Sequence, residues 1–458
     1  MPYRLPAPIA RSTLGPLLLA AVLGCWGAGD ATPGALLTPR PGSHVIVISF
    51  DALRPDALGA YGYGPKTSPA LDAFGREAVL FENAYATAPK TPTAFAGAFT
   101  GRHPSRVFRD WRLRAPNTLA SRFRAAGYRT AAFANNPQLA SERGFGAGFE
   151  TYRVFGGIGD ERVAGLAARW LERRASEPVF LWLHLIDPHA PWLRRPEAEH
   201  LYDAGYSGRF ADRAARLIAL EDPAELARVR SLYDGEIAAV DRIFADFVAA
   251  LRRAELLDDA IVVVTSDHGE EFMEHGHLQH GWLTEENIRV PMIIRHPDVP
   301  GGARLSERVS HLDLLPTLLA LAGLPAPADL DGRSWLEPID PDRPIIAVAN
   351  TERSLLGASI RVGDRKLIVR CGRISDRRVF DLADDPGERR DLMPGAAGEA
   401  DALEARLWER LGVPGCEALA MDAPSPLRRR PDAETRGLDA ETIEALEALG
   451  YLEEERSE

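Results

Sequence analysis

Ala260-Ile-Val-Val-Val-Thr-Ser-Asp267-His-Gly-Glu270 is an apolar run that ends abruptly on acids and a histidine. The same pattern recurs in Val45-Ile-Val-Ile-Ser-Phe-Asp51 and in Val179-Phe-Leu-Trp-Leu-His184-Leu-Ile-Asp187-Pro-His189. Thr130-Ala-Ala-Phe-Ala134 and Pro291-Met-Ile-Ile-Arg295 add two more apolar runs. Runs without polar alternation predict strands buried on both faces. Between them, Thr118–Ala126, Val163–Arg174 and Leu232–Arg253 carry helical patterns. The alternation predicts an α/β fold with a large, mainly parallel sheet covered by helices. Such sheets bind ligands at the carboxyl ends of their strands, which is where the polar clusters fall.

The chain is long enough, at 458 residues, for one large domain and a smaller one. With 45% hydrophobic and 26% charged side chains, its composition excludes a disordered or collagen-like protein. The net charge of −12 leaves no basic footprint, so nucleic acid is not an expected partner. Three cysteines and no CxxC pair exclude a disulfide framework and a zinc knuckle.

Residues 1–24 read as an export signal. Arg4 and Arg11 precede an apolar stretch, Leu14 to Cys25, too short and interrupted to span a bilayer. Val22-Leu-Gly-Cys25 approximates a bacterial lipoprotein box, in which cleavage leaves a lipid on Cys25; the alternative is a plain signal cut near Ala28 or Ala31. The expectation is a protein of the periplasm or cell envelope that touches membrane only through that lipid. Residues 25–43, rich in Pro and Gly from Thr32 on, read as a linker. Export would place Cys371 and Cys416 where they can pair, against the alternative of two separately buried thiols.

Histidines are concentrated at the strand ends. Four of the eleven, His268, His275, His277 and His280, fall within 268–280, where uniform scattering would put about 0.3. Imidazoles gathered with Asp51, Asp187 and Asp267 suit a divalent metal in a nitrogen and oxygen environment.

At these residues the sequence resembles the sulfatase family of the alkaline phosphatase superfamily. The resemblance runs through Ser49-Phe-Asp51-Ala-Leu-Arg-Pro-Asp56, Thr100-Gly-Arg102, Ala126-Gly-Tyr-Arg-Thr130, Asp187-Pro-His189-Ala-Pro191 and Tyr233-Asp-Gly-Glu-Ile237. It continues through Ser266-Asp-His-Gly-Glu270, Asn287-Ile-Arg-Val-Pro291, His311-Leu-Asp-Leu-Leu-Pro-Thr317 and Phe380-Asp-Leu-Ala-Asp-Asp-Pro-Gly-Glu388. It implies an alkaline-phosphatase-like sandwich over 44–340, a smaller C-terminal subdomain over 341–422 and a charged tail over 423–458.

The departures from the family pattern decide the chemistry. Formylglycine sulfatases place a cysteine or serine nine residues before the threonine of Thr-Gly-Arg; here that position is Thr91, within Thr91-Pro-Thr-Ala-Phe95. Threonine cannot become formylglycine. The family's sulfate-binding Lys-x-His is replaced by Asn135-Asn-Pro137, and its paired first-strand aspartates are reduced to Asp51 followed by Ala52.

Threonine at this position resembles the branch that transfers phosphoryl groups. The resemblance implies a metal set of Asp51, Thr91, Asp267 and His268, with Thr91 also the nucleophile. Histidine among the ligands favours zinc or manganese over calcium. His189 and His280 suit the holding of anionic oxygens or protonation of the leaving alcohol. His184 and Asp187 either orient them or hold a second metal. One metal is favoured, since Asp187 and His189 are two apart where two-metal members use Asp-x-x-x-His. Asn135 is a candidate donor to substrate, with a polar loop role as its alternative, and His277 a loop residue beside the site or exposed, with ligand duty as its alternative. The expected activity is hydrolysis, or transfer, of an anionic ester, phosphate or phosphonate first. A sulfuric ester hydrolase working without formylglycine and a non-catalytic binding protein are the alternatives. The substrate is expected to be a small or envelope-derived anionic ester.

Other residues read as structural: His311 in an apolar run, Arg54 paired with Asp56, and Leu403, Leu407 and Leu411 on one helix face. His44, His200 and His296 read as surface histidines. A short helix is expected near Ala440–Leu449.

Overall fold

The computed structural model describes residues 32–421 apart from 175, 203–204, 209–221, 351–355 and 373–375. The export signal, Cys25, the tail and its expected helix therefore lie outside the described residues. No helix among the described residues is long and apolar enough to cross a membrane.

Eight strands form the main sheet: β1 (His44–Phe50), β2 (Val79–Tyr85), β3 (Arg129–Ala134), β4 (Thr151–Val154), β5 (Val179–Leu185), β6 (Ala260–Ser266), β7 (Arg289–Arg295) and β8 (Ala303–Ser310). Their order is β8-β2-β7-β6-β1-β5-β3-β4. The five expected apolar runs all lie in this sheet. Four of them, in β6, β1, β5 and β3, are adjacent and parallel. The fifth, β7, is antiparallel to both its neighbours, and its Pro291 falls where the register with β2 shifts, a place that needs no ladder N–H.

The buried strands split their side chains by simple alternation. Ile46, Ile48 and Phe50 face one layer, with α1 (Pro69–Arg76), α4 (Asp160–Glu172) and the long α5 (Pro223–Arg253). Val45 and Val47 face the other, with α2 (Thr91–Thr100), α3 (Leu119–Ala125) and α6 (Leu314–Leu321). The centre of the sheet thus has no solvent face.

A second, antiparallel sheet follows: β9 (Ile345–Asn350), β10 (Leu356–Val362), β11 (Arg365–Cys371) and β12 (Asp376–Asp381). One face packs on α7 (Ala397–Leu411) through Leu403, Leu407, Trp408 and Leu411. The other packs Ile345, Ala347 and Ile368 against Tyr85, Leu283 and Ile288 of the main domain. Buried Lys366 on β11 ties the two together through Glu285 at 2.9 Å and Glu388 at 2.8 Å. A disulfide joins Cys371 to Cys416 at the start of α8 (Cys416–Met421), so the paired alternative for these cysteines is the one found.

Two expectations are corrected. The linker is not free over its described part: Leu37 is buried, and Arg40 pairs with Asp259 and Asp298 at 2.6 and 2.7 Å. His44 and His296 are not surface residues. His44 opens a central strand, and buried His296 reaches the Thr38 carbonyl at 2.9 Å.

Candidate active site

Because β6, β1, β5 and β3 run parallel side by side, their carboxyl ends deliver Asp267, Asp51, His184 and Asn135 to one edge. The register sets Ser49 beside His184 and Phe50 beside Ser266. Asp51 and Asp267 are fully buried. The chain turns sharply after Asp51, with Ala52 at φ 60°, a left-handed conformation that costs a non-glycine residue about 1–2 kcal/mol. Two hydrogen bonds offset that cost: Ala52 N–H donates to Asp267 Oδ1 at 3.1 Å, and Tyr233 O–H donates to the Ala52 carbonyl at 2.8 Å.

Thr91 is the first residue of α2, with Pro92 behind it in the position where proline's missing N–H costs nothing. Its Oγ1 stands 3.3 Å from Asp51 Oδ2 and 3.4 Å from His268 Nε2. Thr93, two residues on, lines a separate small cavity with Pro104, Phe108 and Leu419. The helix can start this deep because Gly97 lets it lie on Thr87, whose Oγ1 would stand 2.4 Å from a Cβ there.

The acids are fixed by a chain of hydrogen bonds. Trp182 donates to Ser49 Oγ at 2.9 Å, and Ser49 Oγ lies 3.0 Å from His184 Nδ1. His184 Nε2 lies 3.3 Å from Asp51 Oδ2, so the tautomer with its proton on Nε2 satisfies both ends. Asp267 Oδ1 accepts from Ala52 N–H and, at 2.8 Å, from its neighbour's N–H at His268. These bonds leave Asp51 Oδ1 and Asp267 Oδ2 buried with no hydrogen-bond partner. Ligand atoms of Asp51, Asp267 and His268 all lie within 4.8 Å of one another. Two buried carboxylates, each with an orphaned oxygen beside an imidazole, fit a divalent cation. Electrostatics agree. Burial alone would raise the Asp51 carboxyl, but His189, His184 and His268 bring it down to about 2; Asp267 is pushed up by burial and by the Asp51 charge.

His280 joins this group from the loop after β6. Its ring centre is 4.2 Å from that of His268 and 5.0 Å from that of His189. Its Nδ1 lies 3.1 Å from Glu270 Oε1. Burial and the Asp51 charge push the Glu270 carboxyl well above its ordinary range. Burial lowers His189.

Three predicted residues stand elsewhere. Asn135 donates to Asp160 Oδ1 at 2.8 Å, and it is Asn136, not singled out in the sequence, that donates to Asp51 Oδ2 at 2.6 Å. Asp187 is taken by Arg195 at 2.9 Å beside Asp160 and Glu236. His277 stacks on Trp282, ring centres 3.6 Å apart, and not on the carboxylates. Beside Thr91 stands Lys90, which no motif in the sequence marks. Its ammonium sits 4.6 Å from the Trp111 ring, with Arg143 5.3 Å from the same ring. His311 bonds Thr265 inside the core, and Arg54 holds Asp56 through two bonds.

Residues 43–324 match the Sulfatase family model, so the chain belongs to the sulfatase family, whose members generally bind a divalent metal. Among individual relatives, arylsulfatase K of Homo sapiens is 29% identical over 169 residues, covering 36% of this chain and 28% of that protein. Arylsulfatase K of Bos taurus is 37% identical over 112 residues, 24% of this chain and 21% of its own length. The matched part is thus about a quarter of these relatives. Of solved structures, the phosphonate monoester hydrolase of Agrobacterium radiobacter superposes with a TM-score of 0.67 at 22% identity, covering 81% of this chain and 95% of that one. BT4656, solved with its substrate D-glucosamine-2-N,6-O-disulfate, gives 0.69 at 20% identity, covering 81% and 98%. At these identities the superpositions establish a shared alkaline-phosphatase-like fold.

Proposed function

We propose that this protein is a metal-dependent hydrolase of anionic esters, phosphate or phosphonate in preference to sulfate, with Thr91 as nucleophile. The observation that carries this reading is the placement of Thr91 Oγ1, buried at a helix start between Asp51 and His268. Asp51, Asp267 and His268, with Thr91, would hold the cation. When bound, such a cation lowers the pKa of a coordinated hydroxyl and neutralises charge on the ester oxygens.

The side chains themselves supply the rest. Asp51, whose Oδ2 faces Oγ1, is placed to draw off the hydroxyl proton as the oxygen attacks phosphorus. Thr91 Oγ forms the new P–O bond, the ester P–O bond opposite it breaks, and a histidine gives the departing alkoxide its proton. His280 is the stronger candidate for that proton because Glu270 backs its Nδ1; His189 is the other. Water then attacks the phosphothreonine and returns the threonine hydroxyl. An acceptor alcohol in place of water would make the enzyme a transferase. His184 and Asn136 keep Asp51 aimed throughout.

A sulfuric ester hydrolase is the second reading, favoured by the arylsulfatase relatives. Against it stands the secondary alcohol of Thr91, which cannot supply an aldehyde hydrate. A panel of phosphomono-, phosphodi-, phosphono- and sulfate esters on metal-loaded enzyme separates the readings. Thr91→Ala should lose nearly all turnover while keeping fold and most metal, and a trapped intermediate should carry its phosphoryl group on Thr91. Hydrolysis of sulfate esters alone would select the second reading, and turnover unchanged in Thr91→Ala but lost in Thr93→Ala would move the nucleophile. No turnover of any ester would leave a binding protein.

We place the mature protein in the periplasm or envelope, anchored through a lipid on Cys25 and acting on small or envelope-derived esters. The Cys371–Cys416 bridge, which persists in oxidising compartments, supports export. Mass spectrometry finding Met1 intact would overturn it.

A further inference from the structure

A second group of metal-ligating side chains lies outside the Thr91 site, on the loop that leaves β6. Glu271 opens a two-residue hairpin strand (Glu271–Phe272), His275 lies in the turn before its partner (Leu278–Gln279), and Glu286 sits on a short helical turn (Glu285–Ile288). One oxygen from each carboxylate and one nitrogen from His275 all lie within 4.8 Å of one another. His275 Nε2 and Glu286 Oε2 are 3.1 Å apart. A tetrahedral zinc with arms of 2.0–2.1 Å sets its ligand atoms about 3.3 Å apart, so these two need hardly move.

Glu271 supplies the observation that separates this group from an ordinary surface ion pair. It is 0% exposed. Its Oε1 accepts from Thr284 and, at 3.0 Å, from Asn287, but its Oε2 is buried with no partner. Ionised, the side chain leaves a charged oxygen unmatched; protonated, it leaves a buried O–H with nothing to receive it. Either state carries a desolvation cost that a cation between Glu271, His275 and Glu286 removes.

We propose that Glu271, His275 and Glu286 form a second divalent-cation site, of zinc or manganese type, that clamps the loop 271–286. One histidine and two carboxylates match that class of ion. The clamp has a structural consequence. Gly269 N–H donates to the Asn287 carbonyl at 2.7 Å, and Arg54, behind the main site, pairs with Glu274 at 2.8 Å. Glu285, next to Glu286, pairs with Lys366 of the second sheet. The cation would therefore lock the loop that carries His280 between the two parts of the protein.

The test uses the purified full chain, stripped with a chelator and titrated with zinc chloride by calorimetry, with bound metal counted by mass spectrometry. Wild type should take up two zinc ions. Asp267→Asn should lose one event and keep the other. His275→Ala and Glu271→Gln should each lose that retained event, weakening it by more than about 100-fold, beyond what loss of an outer-shell partner costs. Zinc should raise the melting temperature of Asp267→Asn, and should not raise that of Asp267→Asn/His275→Ala. Circular dichroism checks folding, and Glu286→Gln on the loop's far arm is the reserve variant if Glu271→Gln does not fold. Zinc uptake unchanged in all three loop variants overturns the site, as does loss of every event in Asp267→Asn. Uptake of one zinc by wild type, lost in His275→Ala but not in Asp267→Asn, supports this site and counts against the Thr91 metal centre.

Discussion

Asn136 Nδ2 donates to Asp51 Oδ2 at 2.6 Å, while its neighbour Asn135 turns away to Asp160. The amide occupies one oxygen of Asp51 and leaves the other, Oδ1, to face the cation position. Asn136→Ala should weaken zinc binding at the main site by about 10–100-fold, the usual cost of losing a partner that orients a ligand. Asn135→Ala should leave that affinity near wild type. A calorimetric titration in which the Asn135 variant alone weakens would place the orienting amide on the wrong residue.

His280 and Glu270 form a second testable pair, 3.1 Å apart and both next to His268. If His280 protonates the leaving group, its loss matters in proportion to how badly that group needs a proton. His280→Ala should slow alkyl esters by about 100-fold or more and nitrophenyl esters far less. An equal loss on both would show that His280 holds the substrate and does not act as the acid.

The disulfide between Cys371 and Cys416 closes a loop with a sequence separation of 45 residues. Chain-entropy arithmetic for such a loop gives at most about 4 kcal/mol. Its stabilisation should fall on the second sheet and α7, which have their own core of Leu367, Val369, Leu403 and Leu407. Cys371→Ser/Cys416→Ser should lower the urea midpoint of that subdomain. A midpoint equal to wild type would mean that the bridge contributes nothing to stability.

What the sequence makes legible follows from burial. Asp51, Asp267 and His268 stand out because strands buried on both faces carry charge only where they end. β2 and β8 are not legible: Val79–Tyr85 breaks its apolar run with Glu82 and Asn83, and the sheet-edge Ala303–Ser310 is half polar because one flank meets water. Nor is the choice between Asn135 and Asn136 legible. Adjacent side chains leave a strand end in opposite directions, and only the register of β3 against β5 decides which one meets Asp51. The Glu271, His275 and Glu286 group is hidden for another reason: its members meet through a hairpin and a helical turn whose folding the histidine spacing does not announce.

His311 gives a prediction about acid stability that is separate from the chemistry. It is fully buried at the mouth of α6, with Nε2 3.0 Å from Thr265 Oγ1 and Nδ1 without a partner. Burial lowers it from an ordinary 6.5 to about 3. The unfolded chain therefore takes up a proton here as pH falls below 6.5, whereas the folded chain stays neutral until about 3. The stabilisation from keeping His311 neutral is complete above 6.5, declines through that window by about 1.4 kcal/mol per pH unit, and levels off below about 3. His311→Gln removes the titration while keeping an amide that can bond Thr265. Its absolute stability near neutral pH should fall, since the ring is packed, but its acid slope between pH 6 and 4 should be shallower than wild type by about one proton. Urea midpoints measured across that range decide the matter: parallel slopes for the two proteins would show that His311 is already charged in the folded state, or that it does not titrate in the unfolded one.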